Sequence, residues 1–170
     1  MLYPRLRHLQ TRSDMSREFQ ACWFSDYPPA TADNLRRLST KHPWIPNDYL
    51  EFLRNTDGVV LETFVFYGTA DGHDFPMSGR GYYVDPYGPD DWIAVGHDAA
   101  GDGLLIGRSG GVASVGSDPP PDNPVPVCDT FHELIESVCC GERYSGYFGG
   151  GLDDSDWSNY LTARGWQNGG

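Results

Sequence analysis

The chain has 170 residues, 39% of them apolar and 14% aromatic, a composition that suits one globular domain with a single core rather than a disordered or membrane-spanning polypeptide. Its formal charge of -12 is unevenly placed: residues 1–41 hold seven cations against four acids, and residues 42–170 hold five cations against twenty acids. Such a surface repels phosphate backbones and anionic lipid head groups, which argues against nucleic-acid or membrane binding and favours a cationic protein as partner.

With 21 Gly and 13 Pro, short elements joined by many turns are expected. Met15, Phe19, Cys22 and Trp23 recur at helix-like intervals and predict an amphipathic helix over Arg12–Phe24. Asp26–Ala30 breaks the chain, Thr31 can cap a short helix carrying Leu35 and Leu38 on one face, and His42-Pro43 ends it. In WIPNDYLEFLRNTDG, Pro46 fits the first turn of a helix, Asp48 and Glu51 favour its N-terminal dipole, Tyr49, Leu50, Phe52 and Leu53 form its apolar face, and Gly58 suits a left-handed stop.

VVLETFVFYG then reads as one strand, with Val60, Glu62, Phe64 and Phe66 on one side and Val59, Leu61, Thr63, Val65 and Tyr67 on the other. Thr69–Gly81 lacks periodicity and predicts an exposed loop before a short strand at Tyr82–Val84, and Asp85–Asp91 is a second turn cluster. Trp92–Gly96, Gly103–Gly107 and Gly111–Gly116 are three short apolar strands, and the brevity of the loops between them predicts antiparallel hairpins. After a proline-rich stretch, Asp129 can cap a helix whose Phe131, Leu134, Ile135 and Val138 follow 3-4 spacing and should lie on the sheet.

The tail divides the chain into residues 1–140, the main domain with its N-terminal helical region, and 141–170, a Gly-rich linker with an appended helix. That helix carries Trp157, Tyr160 and Leu161 on one face, has Gly165 as its stop, and ends in a frayed WQNGG. No stretch reaches the roughly 20 apolar residues that span a bilayer, and MLYPRLRHLQ lacks an apolar signal core, so a cytoplasmic protein is expected. Cys22, Cys128, Cys139 and Cys140 have no metal-ligand spacing and are expected as reduced, mostly buried thiols.

Residues with catalytic potential do not assemble into a motif. Asp98 and Asp102 in HDAAGDG lack the alternating acids and distant Glu of a calcium loop, which leaves a structural turn as the better reading. His73-Asp74 and His97-Asp98 are sequence neighbours whose side chains point apart, with no nucleophile motif nearby. Gly107–Gly111 lacks the Lys-Ser/Thr of a phosphate loop. No enzyme activity, metal or cofactor is expected.

In order and wording, IPNDYLEFLRNTDGV, the FVFYG strand end, WIAVGHDAAGDGLLIG and CDTFHELIESV resemble the SUKH superfamily, named for fungal cell-wall synthesis regulators and their bacterial relatives. The similar words cover roughly Pro46–Val138, and Pro46, Tyr49, Phe52, Leu53, Gly58, Gly101 and Asp102 carry the pattern as scaffold residues. In Gly101-Asp102-Gly103 the Asp side chain can bond backbone N–H groups of a tight reversal. The basic first forty residues and the Gly-linked C-terminal helix depart from the pattern.

The run of hairpin-spaced strands between two amphipathic helices predicts a single α+β domain, SUKH-like in class, in which helices Asn47–Asp57 and Thr130–Cys139 flank a mainly antiparallel central sheet of about five or six strands. The resemblance implies a bacterial immunity protein that binds a cognate toxin domain, with a regulatory or scaffold protein-binding module as the alternative. Tyr49, Phe52, Leu53, Val65, Trp92, Ile93, Leu105, Phe131, Leu134 and Ile135 are the expected core. For an immunity protein, the acidic loops around Asp71, Asp74, Asp85, Asp90 and Asp91 would meet a basic toxin such as a nuclease, with Tyr82, Tyr83 or Tyr87 as aromatic anchors.

Overall fold

A computed structural model of the protein describes residues 2–11, 24–116 and 120–167. Its strands are β1 (Phe24–Asp26), β2 (Val59–Leu61), β3 (Phe64–Phe66), β4 (Trp92–His97), β5 (Gly103–Gly107), β6 (Val112–Val115) and β7 (Val125–Cys128). They form one sheet in sequence order, and every neighbouring pair is antiparallel. The α+β architecture agrees with expectation, but the sheet has seven strands rather than five or six. The two extra strands are the edges. β1 is only three residues long, and β7 contains Pro126, which an edge strand tolerates because one of its sides needs no ladder donor.

VVLETFVFYG is a hairpin rather than one strand: Val59 pairs with Phe66, Val60 with Val65 and Leu61 with Phe64, and Glu62 turns the chain at φ 52°. No Gly, Asn or Asp marks this turn, so the sequence reads as continuous. Tyr82–Val84 is likewise not a strand; Gly81–Tyr83 and Asp85–Tyr87 are single 3₁₀ turns.

The helices are α1 (Pro4–Thr11), α2 (Ala32–Lys41), α3 (Asn47–Asn55), α4 (Phe131–Glu133, continuing as a π-helix over Leu134–Cys139), α5 (Tyr144–Tyr147) and α6 (Asp156–Ala163). Thr31 caps α2 as expected, its hydroxyl accepting from the Asn34 N–H at 3.2 Å. Pro46 is the N-cap of α3 and not part of its first turn. Asp48 ties α3 to α4 by accepting from the His132 N–H at 2.9 Å.

Gly58 has φ 92° but lies beyond the extended cap residue Thr56, so it opens β2 instead of stopping the helix. A Cβ there would sit 2.8 Å from the Phe66 carbonyl oxygen, which gives a second reason for glycine. The cap of α4 is Thr130 and not Asp129; its hydroxyl accepts from the Glu133 N–H at 3.1 Å.

The proposed Arg12–Phe24 helix falls outside the described residues except for Phe24, which begins β1. The sequence reading missed α1 altogether. Its first N–H groups are satisfied from a distance: the buried Glu136 carboxylate accepts from the Arg5 and Leu6 N–H groups at 3.0 and 3.3 Å. The stretch read as a glycine linker contains α5, with Tyr144 buried and Tyr147 and Phe148 packed on Phe64. In α6, Trp157, Tyr160 and Leu161 are buried, and the Trp157 indole donates to the Cys139 carbonyl at 2.9 Å. Trp166 and Gln167 do not fray: the Trp166 ring meets His8, and the Gln167 side chain bonds Ser145.

Strand alternation separates two apolar clusters. Phe64, Phe66, Ile93, Val95, Leu104 and Ile106 face the helices and join Tyr49, Phe52, Leu53, Phe131, Leu134, Ile135 and Trp157. Tyr67, Ala94, Leu105 and Val115 point the other way and pack with Tyr83 and Val84. Of the expected core residues, Val65 and Trp92 are only partly buried, at this second cluster; the other eight are buried.

Candidate partner-binding surface

Residues 67–91 connect β3 to β4 and carry all eight residues named as a partner surface. Asp57, buried at the start of the β2–β3 hairpin, anchors the near end of this connection by accepting from the Thr69 N–H and hydroxyl at 2.7 and 2.9 Å. Next along the chain, the His73 ring sits where Gly68 leaves no room for a side chain: a Cβ at Gly68 would lie 2.2 Å from it. The Tyr27 ring covers His73 at a centroid distance of 3.9 Å, and its hydroxyl donates to Asp74 at 3.0 Å. Burial and the Asp74 carboxylate raise the Tyr27 pKa.

Asp71, Asp74, Asp85, Asp90 and Asp91 are all exposed. Asp91 pairs with Arg108 at 3.3 Å. The tyrosines divide by role. Tyr83 is buried and donates its hydroxyl to the Gly101 carbonyl at 2.8 Å, and half-buried Tyr87 donates to the Pro121 carbonyl at 2.8 Å. Tyr82 is 53% exposed. The connection thus presents exposed carboxylates around one exposed tyrosine, with its two other tyrosines tied to backbone carbonyls.

The HDAAGDG reversal is held by Asp98 and not, as the sequence suggested, by Asp102. Asp98 Oδ1 accepts from the Ala100 and Asp102 N–H groups at 2.9 and 3.1 Å, and Oδ2 accepts from the Tyr147 hydroxyl at 2.8 Å. Gly101 occupies the positive-φ position of the turn at 82°. Asp102 lies beside this carboxylate, and partial burial and Asp98 raise its pKa.

Neither His-Asp neighbour pair forms a catalytic dyad. His73 Nδ1 accepts from the Phe75 N–H at 2.9 Å, and His97 Nδ1 lies 2.9 Å from the Tyr67 hydroxyl. Burial and the nearby Arg80 lower the His97 pKa, which suits a neutral imidazole accepting from Tyr67.

A model of the SMI1 / KNR4 family (SUKH-1) matches residues 29–137, more than half of the chain. The chain belongs to the SMI1 / KNR4 family (SUKH-1). No curated protein matches it. The SUKH-1 match runs from the turn before α2 into α4, so it takes in the whole β3–β4 connection and leaves α1, α5 and α6 outside.

Cations beside this connection escaped the sequence reading. An open groove of about 550 Å³ lies between α2 and the connection, lined by Arg37, Lys41 and Arg80 among others. Arg37 and Lys41 are four apart on α2, so they share a helix face, and this spacing was the available sequence signal. Nothing in the sequence brings Arg80 to them. Among the described residues no group of His, Cys, Asp or Glu side chains converges as a metal site, and no helix is long and apolar enough to cross a membrane.

Proposed function

We propose that this SUKH-1 protein is a non-catalytic immunity protein of the bacterial cytoplasm, which binds a cognate basic toxin domain, such as a nuclease, and neutralises it by covering its site. The reading rests on one observation: in a SUKH-1 chain of formal charge -12, five exposed aspartates and the exposed Tyr82 are carried by a single connection between β3 and β4. Exposed carboxylates at a rim accelerate encounter with a cationic protein, and an aromatic side chain among them supplies contact area at low entropic cost. Tyr83 and Tyr87 support the surface from beneath through their bonds to Gly101 and Pro121.

The test reverses Asp85, Asp90 and Asp91 to Lys and measures association with the toxin encoded beside this gene, at low and at moderate salt. The on-rate at low salt should fall about tenfold or more and the difference should shrink as salt rises. An unchanged on-rate at low salt would place the toxin elsewhere on the protein.

A further inference from the structure

Five of the described arginines are matched to carboxylates: Arg5 to Glu142, Arg36 to Asp33, Arg54 to Glu51, Arg108 to Asp91 and Arg143 to Glu133. In a chain with 24 acids and only 12 Lys and Arg, a cation without a carboxylate partner is therefore unexpected. Yet among the described residues Arg7, Arg37, Lys41 and Arg80 have none within ion-pair distance, and the last three of these line the groove between α2 and the β3–β4 connection. The Arg37 guanidinium donates to the neutral Asn34 amide oxygen; Arg80 donates to the Pro76 carbonyl and lies 4.8 Å from the Tyr67 ring centroid.

Other features of the groove point to a ligand of limited negative charge with an apolar part. His42, at the C-terminal end of α2, lines it at 5% exposure, and its Nδ1 has no hydrogen-bond partner. Apolar lining comes from Leu38, Met77 and Ile93. Asp71 and Asp85 also line it, and their charge disfavours a polyphosphate, as does the strongly acidic remainder of the chain. One or two carboxylates set on an apolar segment match both the unneutralised cations and the apolar lining.

We infer that this groove is a docking site for an acidic peptide segment of a protein partner, in which one or two Glu or Asp side chains are taken by Arg37, Lys41 and Arg80 and an apolar side chain lies against Leu38 and Ile93. The site has the opposite charge preference to the aspartate-bearing surface, with which it shares Asp71 and Asp85 at its rim. It does not depend on the partner being a toxin.

The probe is a panel of octapeptides carrying two Glu residues one to three positions apart around a central Leu or Phe, titrated into the full-length isotope-labelled protein. Backbone amide shifts and the Trp92 indole signal, which belongs to another lining residue, report binding. At least one panel member should give saturable shifts confined to α2 and the connection, and replacing its Glu residues by Gln should weaken it about tenfold. The double variant Arg37→Gln/Lys41→Gln, at two exposed positions, should keep the wild-type melting temperature and lose the shifts. The inference is overturned if no panel member binds, if the Gln peptides bind equally well, if the double variant still binds, or if inorganic phosphate alone gives the same shifts at the same concentration.

Discussion

On the helical face of the sheet, Phe52, Phe66 and Phe131 meet with ring centroids 5.0 to 5.9 Å apart, and each is fully buried between strand and helix. On the opposite face no described α-helix contributes to the apolar cluster. Among the described residues, the cluster of Tyr67, Tyr83, Val84, Ala94, Leu105 and Val115 is roofed by the β3–β4 connection. Backbone there comes close to rings: a Cβ at Gly103 would lie 2.4 Å from the Tyr83 ring, and one at Gly107 would lie 2.9 Å from that of Trp92. Hydroxyls also pin the roof, Tyr83 to Gly101 and Tyr87 to Pro121. Burial of large side chains thus holds the helical face, and a few specific polar and glycine contacts hold the other. The second arrangement leaves a long connection free to carry exposed carboxylates without disturbing the main core.

The largest expected effect tests the helical face. Phe131→Ala removes a ring that touches Tyr49, Phe52 and Phe66, and should cost about 3 to 5 kcal/mol by lost burial and a residual cavity, read from the denaturant midpoint. A loss under about 1 kcal/mol would mean that this face tolerates collapse and that the contrast between the faces is overdrawn.

Smaller, but decisive for the roof, is Gly103→Ala. The added methyl must displace the Tyr83 ring and should cost about 1 to 3 kcal/mol. In a Tyr83→Ser background most of that cost should disappear, and strict additivity of the two changes would show that glycine and ring do not meet. Tyr83→Phe keeps the ring and removes the bond to Gly101, so about 0.5 to 1.5 kcal/mol is expected, with proton exchange at the Gly101 turn accelerated.

The last prediction tests by pH the two histidines beside the connection. Burial and Arg80 hold the His97 pKa below its ordinary value, with Asp98 opposing, and burial and Lys41 do the same to His42, with Asp90 opposing. Because the unfolded chain then binds protons more readily than the folded one, stability is full above the ordinary histidine range and falls as pH is lowered through it toward the folded pKa. His97→Asn should flatten part of that fall and leave the His42 share. A variant whose midpoint follows the wild-type pH profile would show that His97 is not held neutral in the folded protein.

Much of this molecule was legible from its residues alone. The 3-4 spacing of Tyr49, Phe52 and Leu53, and of Phe131, Leu134 and Ile135, located the two central helices and their buried faces. The hairpin-spaced apolar runs from Trp92 to Val115 located three strands and their antiparallel order, since local periodicity and short loops leave little choice of pairing. Their order and wording also carried the family resemblance.

What escaped the sequence depends on partners far along the chain. Helix α1 has weak amphipathic patterning and exists where Glu136, about 130 residues away, satisfies its first N–H groups. β1 and β7 are edge strands whose ladder bonds come from β2 and β6 rather than from any propensity of their own. The same holds for the candidate surfaces: the exposed aspartates could be named from loop composition, but burial of Tyr83 and the meeting of Arg80 with Arg37 and Lys41 could not. A side chain's exposure and charged neighbours are set by which elements pack beside it, and tertiary packing alone decides that.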